Sequence, residues 1–121
     1  MSDEIKISNW KRLRSWFYDT RTKLCDSVYS AIYNKHKVDP QGYCPVQAEG
    51  HLPTGEYYYF RSRHTSWSVR ISKTEAELWT DASWVYREQK YEGFEGGWIG
   101  KREVIRNFNK AVKLYYEHSR S

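Results

Sequence analysis

The stretch from Tyr57 to Ser72 leaves a folding chain few choices. Bulky apolar side chains recur there at every second position, and no acid stands between Tyr57 and Lys73. Strand side chains alternate between two faces, so the stretch reads as a hairpin with one buried side. An even-numbered loop centred on His64 and Thr65 puts Tyr58, Phe60, Ser62, Trp67, Val69 and Ile71 together on that side. An odd-numbered loop would carry Arg61 and Arg63 to the Trp67 side, where burying unpaired charge is costly. The even register is therefore expected. His64-Thr65 is not the Asn-Gly pair that favours the tightest hairpin, so two and four loop residues are both open.

The opposite face then shows Tyr57, Tyr59, Arg61, Arg63, Ser66, Ser68 and Arg70. Arginine presents a planar fork of donors and stacks on rings, and tyrosine presents a flat ring with a polar tip. Tyr57, Tyr59, Arg61, Arg63 and Arg70, with His64 at the hairpin tip, form the candidate ligand-binding set. Their chemistry suits an anionic partner: a nucleotide, a nucleic acid backbone or an acidic patch on a protein. The competing expectation is a face half covered by a helix and half solvated, with the arginines reaching to water.

The chain of 121 residues suits one domain, spanning 1–121. Six Trp and eleven Tyr predict an aromatic-rich core. The net charge of +5 is segregated along the sequence. Residues 1–37 carry +4, 38–56 carry −3, 57–73 carry +4, 74–99 carry −4 and 100–121 carry +4. A basic field attracts nucleic acid, whereas two acidic blocks argue for pairing within the fold or between copies, so a homo-oligomer is open. No apolar run reaches the length of a membrane span, and the N-terminus lacks the apolar core of a signal peptide. Cytoplasmic residence is the expectation, with Cys25 and Cys44 as thiols.

Along the chain, Ser8 or Asn9 can cap a helix reaching about Asn34. Its apolar stripe is Trp10, Leu13, Phe17, Leu24, Val28, Ala31 and Ile32, either unbroken or divided near Asp19. Asp39-Pro40-Gln41-Gly42 predicts a turn. An antiparallel meander follows, with strands over 45–50, 56–63 and 66–72. Residues 73–81 predict one or two helical turns capped by Thr74. Residues 83–89 predict a strand, with Trp84 and Tyr86 set against Val85 and Arg87. Tyr91 to Gly97 reads as a flexible loop exposing Phe94, and Trp98-Ile99 as a short last strand. From Lys101 to about Glu117 a stripe of Val104, Ile105, Phe108, Ala111, Val112 and Tyr115 predicts a helix. The expected fold is α+β: an N-terminal helix over about 9–34, an antiparallel sheet of about four strands over 45–99, and a C-terminal helix over about 101–117 packed on one sheet face.

The strings Pro45-Val-Gln-Ala-Glu-Gly50, Tyr59-Phe-Arg-Ser-Arg-His64 and Trp67-Ser-Val69, with the Gly97-Trp98-Ile99 step before the last helix, resemble a group of small bacteriophage and bacterial proteins. The resemblance covers the middle and end of the chain and brings no activity with it. It implies a phage or mobile-element origin, hence a counter-defence binder in the host cytoplasm, and carries over no residue role.

Catalytic and metal signatures are sparse. Cys25, Cys44, His36, His51, His64 and His118 fall at no metal-ligand spacing, and no cofactor fingerprint is present, so neither a metal nor a cofactor is expected. The leading expectation is a non-enzymatic binding protein using the Tyr/Arg face. A second is a protein–protein inhibitor or self-assembling protein, with Phe94 and Trp98 as anchors. A third is a small phosphodiester hydrolase using Glu49, His64 and the arginines.

Overall fold

The computed structural model describes residues 23–120. Helix α1 (residues 23–33) precedes strands β1 (Val46–His51), β2 (Tyr57–Arg63), β3 (Ser66–Ser72) and β4 (Trp84–Gln89), and helix α2 (Lys101–Arg120) closes the chain. Two 3-10 turns, Glu75–Glu77 and Glu95–Trp98, lie on either side of β4. The four strands form one antiparallel meander in the order β1-β2-β3-β4. This is the α+β fold expected from the sequence. The expected helix start near Asn9, and the choice between one helix and two, lie outside the described residues.

The hairpin register is the even one. Tyr58 pairs with Ile71, Phe60 with Val69 and Ser62 with Trp67, and only His64 and Thr65 remain in the loop. Tyr58, Phe60, Trp67, Val69 and Ile71 are all buried, with Val46 and Ala48 of β1 on the same face. Val104, Phe108, Ala111 and Val112 of α2 cover them. Tyr58 and Phe108 meet at 4.5 Å between ring centroids, and Trp67 contacts Tyr86 of β4 at 5.5 Å. Trp84 turns its ring edge-on to Tyr115 at 5.5 Å, so β4 also lies beneath α2. Aromatic pairs of this kind add about 0.5–1.5 kcal/mol each beyond their area burial. The sheet's inner face and α2 therefore form the core, and its outer face is left for other uses.

Several local expectations are corrected. Trp98 and Ile99 form no strand, because Trp98 ends a 3-10 turn. The loop before them exposes Phe94 as expected, but its end is closely packed. Gly96 donates its N–H to the His64 carbonyl at 2.8 Å, and Gly97 accepts from Cys44 N at 2.9 Å. A Cβ on Gly96 would lie 2.6 Å from the His64 oxygen, and one on Gly97 would lie 2.7 Å from Cys44 Sγ. Only glycine allows this approach. Thr74 makes no side-chain cap. Leu24, Val28 and Ile32 of α1 do not reach the core and are more than half exposed. Cys25, a free thiol on the same helix, is exposed as well. Helix α1 is held by polar contacts instead: Arg102 Nε to Asp26 Oδ1 at 2.9 Å and Asn109 Nδ2 to the Tyr33 carbonyl at 3.0 Å.

Candidate anion-binding site

The pairing pattern sorts the outer face of the sheet into rows. One row runs Glu49–Tyr59–Arg70–Val85, the next Gln47–Arg61–Ser68–Arg87, and the last Arg63–Ser66–Gln89. The two ends of this face have different fates.

The tyrosine end is covered. Tyr57 is buried, and its hydroxyl donates to Glu49 Oε2 at 2.6 Å. That bond, with burial, pushes the phenol well above its ordinary range. Tyr59 is half-buried; it donates to Gln47 Oε1 at 2.5 Å and meets Trp79 at 5.3 Å between ring centroids. The segment after β3 folds back over this end. Leu78 is buried there, and its carbonyl accepts from Arg70 Nη1 at 3.4 Å. Arg70 also donates to Ser83 Oγ at 3.3 Å and lies 5.0 Å from the Trp79 ring. Tyr57, Tyr59 and Arg70 are therefore corrected from ligand-facing to structural residues. The two tyrosine hydroxyls and Arg70 Nη1 are engaged by groups that β1 and the 73–83 segment bring to them.

The arginine end is open. Arg61, Arg63, His64, Thr65, Ser66, Ser68 and Arg87 line a cavity of about 470 Å³. Three arginines, one histidine and three hydroxyl-bearing residues line one space, and none of the lining residues is acidic. Arg61 and Arg63 join none of the four ion pairs seen among the described residues and make no side-chain hydrogen bond there. Arg87 donates through Nε and Nη2 to Ser66 Oγ at 3.3 and 3.1 Å, so it leans toward the hairpin tip. Arg61 and Arg87 sit two strand spacings apart, about 10 Å between backbones, which leaves room for an anion between their side chains. Guanidinium forks match phosphate and carboxylate oxygens two at a time.

The sequence reading found Arg61, Arg63 and His64 and passed over Arg87, Ser66 and Ser68 as ligand groups. Arg87 was within reach of the pattern. Once Trp84 and Tyr86 face the core with Trp67, Val85 and Arg87 must take the outer face, and a meander places β4 next to β3.

The hairpin tip joins the cavity to a second surface. His64 has a φ of 55°, a left-handed conformation that non-glycine residues adopt at a cost of about 1–2 kcal/mol. The Gly96 hydrogen bond holds it there. Its ring lies 5.4 Å from that of Phe94, which is 69% exposed. Phe94 and Trp98, with Lys90, Tyr91, Glu95, Ile99 and Glu103, line a groove of about 710 Å³. Trp98 stacks on Tyr43 at 5.2 Å, and both rings are mostly exposed. Tyr91 closes the groove's inner side; burial in particular pushes its phenol up to about 12.

Glu49, the expected partner of His64 in a hydrolase, is occupied by Tyr57 at the other end of the face. Among the described residues no group of three or more His, Cys, Asp or Glu gathers to hold a metal ion, and no helix is long and apolar enough to cross a membrane. Sheet and pocket together define an α+β meander that presents an arginine cluster on its solvent face. No protein-family model, curated protein or solved structure matches the chain.

Proposed function

We propose that the protein is a non-enzymatic binding protein that holds a phosphate-bearing ligand between Arg61, Arg63 and Arg87. The observation that carries this is the acid-free lining of the cavity, in which Arg61 and Arg63 have no ionic partner among the described residues. Like charges gathered without counter-charge disfavour the folded state, and an anion relieves that repulsion. Lys90, Arg102, Arg106 and Lys110 have carboxylate partners, whereas Arg61, Arg63 and Arg87, which have none among the described residues, gather around one cavity. Phosphate suits the site better than carboxylate because three forks and three hydroxyls offer more donors than two oxygens can accept. Binding rather than catalysis fits the lining, because His64 has neither a carboxylate nor a second imidazole beside it there.

Calorimetric titration with inorganic tripolyphosphate at low salt tests the proposal. The native protein is expected to bind it, and an Arg61→Ala/Arg87→Ala double variant of unchanged fold to lose binding. Equal binding by both proteins would refute it.

A further inference from the structure

The arginine cavity and the aromatic groove share the hairpin tip. His64 lines the first, its ring contacts Phe94, and Phe94 lines the second. From this juxtaposition we infer that the ligand is a phosphate joined to an unpaired nucleobase, with the phosphate on the arginines and the base stacked on Phe94. The inference rests on the phosphate-binding reading proposed above.

Three observations carry it. First, Phe94 is 69% exposed, although a ring of that size gains most from burial. Second, the backbone that carries the ring is held in place, and the ring lies against His64. Gly96 is hydrogen-bonded to the hairpin tip and Gly97 to Cys44, so the 3-10 turn that follows Phe94 is fixed against the cavity wall. An aromatic platform that is already ordered loses little entropy when a base stacks on it. Third, the charge pattern gives the ligand a direction. Glu95 stands in the groove beside the Lys90–Glu103 ion pair, whereas the cavity on the other side of His64 has three arginines and no acid. A phosphate is therefore drawn to the cavity, while a neutral base is tolerated in the groove, whose charges are largely paired. Its edge N–H groups would also find the Glu95 carboxylate as an acceptor there. A duplex hides its base faces in the stack, so an unpaired base is required.

Two sources supply this chemistry, a free nucleotide and a single strand, and the titration separates them. The probes are adenosine triphosphate, a labelled twelve-nucleotide oligothymidylate, the matching duplex and inorganic tripolyphosphate. The proteins are the native chain, Phe94→Ala, Phe94→Trp and Arg61→Ala. Phe94 is exposed, so its replacement leaves the fold intact, and Phe94→Trp keeps a stacking face. Base–aromatic stacking predicts that Phe94→Ala weakens the nucleotide or the single strand by about 5- to 100-fold, that Phe94→Trp restores it, and that tripolyphosphate binding is unchanged. The duplex is expected to bind more weakly than the single strand. If Phe94→Ala leaves every base-bearing probe unaffected while Arg61→Ala weakens them all, the base platform is wrong and phosphate binding stands. If the duplex binds as tightly as the single strand and the nucleotide does not bind, the unpaired-base requirement is wrong. If no probe depends on Arg61, both proposals fall together.

Discussion

Ser68 pairs with Arg61 on one side and with Arg87 on the other, so two guanidinium groups flank one hydroxyl in a single cross-strand row. Arg70, one row away, is instead engaged by Leu78, Ser83 and Trp79. Charge-assisted hydrogen bonds contribute about 1.5–3 kcal/mol each. Arg61→Ala and Arg87→Ala should therefore each weaken tripolyphosphate binding by about 10- to 100-fold. Arg70→Ala should leave binding nearly unchanged and lower stability by about 0.5–1 kcal/mol through loss of the Trp79 contact. Titration calorimetry and chemical denaturation of the three variants check both halves.

Salt should act through the same residues. Each arginine that neutralises a phosphate releases a counter-ion, so affinity for a single-stranded probe should fall with rising salt. On a plot of log affinity against log salt concentration, removing Arg63 should reduce the slope by about one. Removing Arg106, which is already paired with Glu103, should leave the slope as it is.

Gly96 positions the whole tip. A Cβ there would meet the His64 carbonyl, a backbone atom with little freedom to retreat, at 2.6 Å. Gly96→Ala should destabilise the fold by about 1–3 kcal/mol, the usual range for overpacking. It should also weaken phosphate binding, because the same contact holds His64 beside the arginines. Thermal unfolding and the tripolyphosphate titration together read this out.

His36 gives the fold a pH dependence. It follows α1, with its ring edge-on to Phe108 at 5.5 Å and its Nδ1 buried without a hydrogen-bond partner among the described residues. Burial, with Lys35 nearby as a lesser cause, lowers its pKa from the ordinary value of 6.5. In the unfolded chain the ring takes up a proton as pH falls through 6.5, while the folded chain resists until lower pH. The contribution is therefore fully present above 6.5 and is lost progressively as pH falls through the folded value. Melting temperature should drop more steeply between about pH 7 and 5 in the native protein than in His36→Gln.

The hairpin was legible because its alternation is strict: one register buries Phe60, Trp67, Val69 and Ile71 together and the other buries arginines. Helix α2 was legible for the same reason, since its stripe from Val104 to Val112 has a single face. The division of the outer face was not legible. Whether Tyr59 or Arg61 meets solvent depends on where Leu78 and Trp79 land, and a short irregular segment carries no periodicity to say so. The stripe Leu24, Val28 and Ile32 has helical spacing, but spacing does not name what the helix packs on, and the core was already filled by α2. The glycines of residues 93–97 suggested mobility, yet two of them permit close packing beneath the hairpin tip.

The most direct measurement is a nuclear magnetic resonance titration that follows arginine Nε–H and backbone amide signals as inorganic tripolyphosphate is added. The Nε–H signals of Arg61, Arg63 and Arg87 and the amides of Thr65 to Ser68 should shift together and saturate with a single affinity, while Arg70 and Trp79 stay still. Shifts centred on Arg70 and Trp79, or on the basic residues of α2, with the three pocket arginines unmoved, would contradict the account.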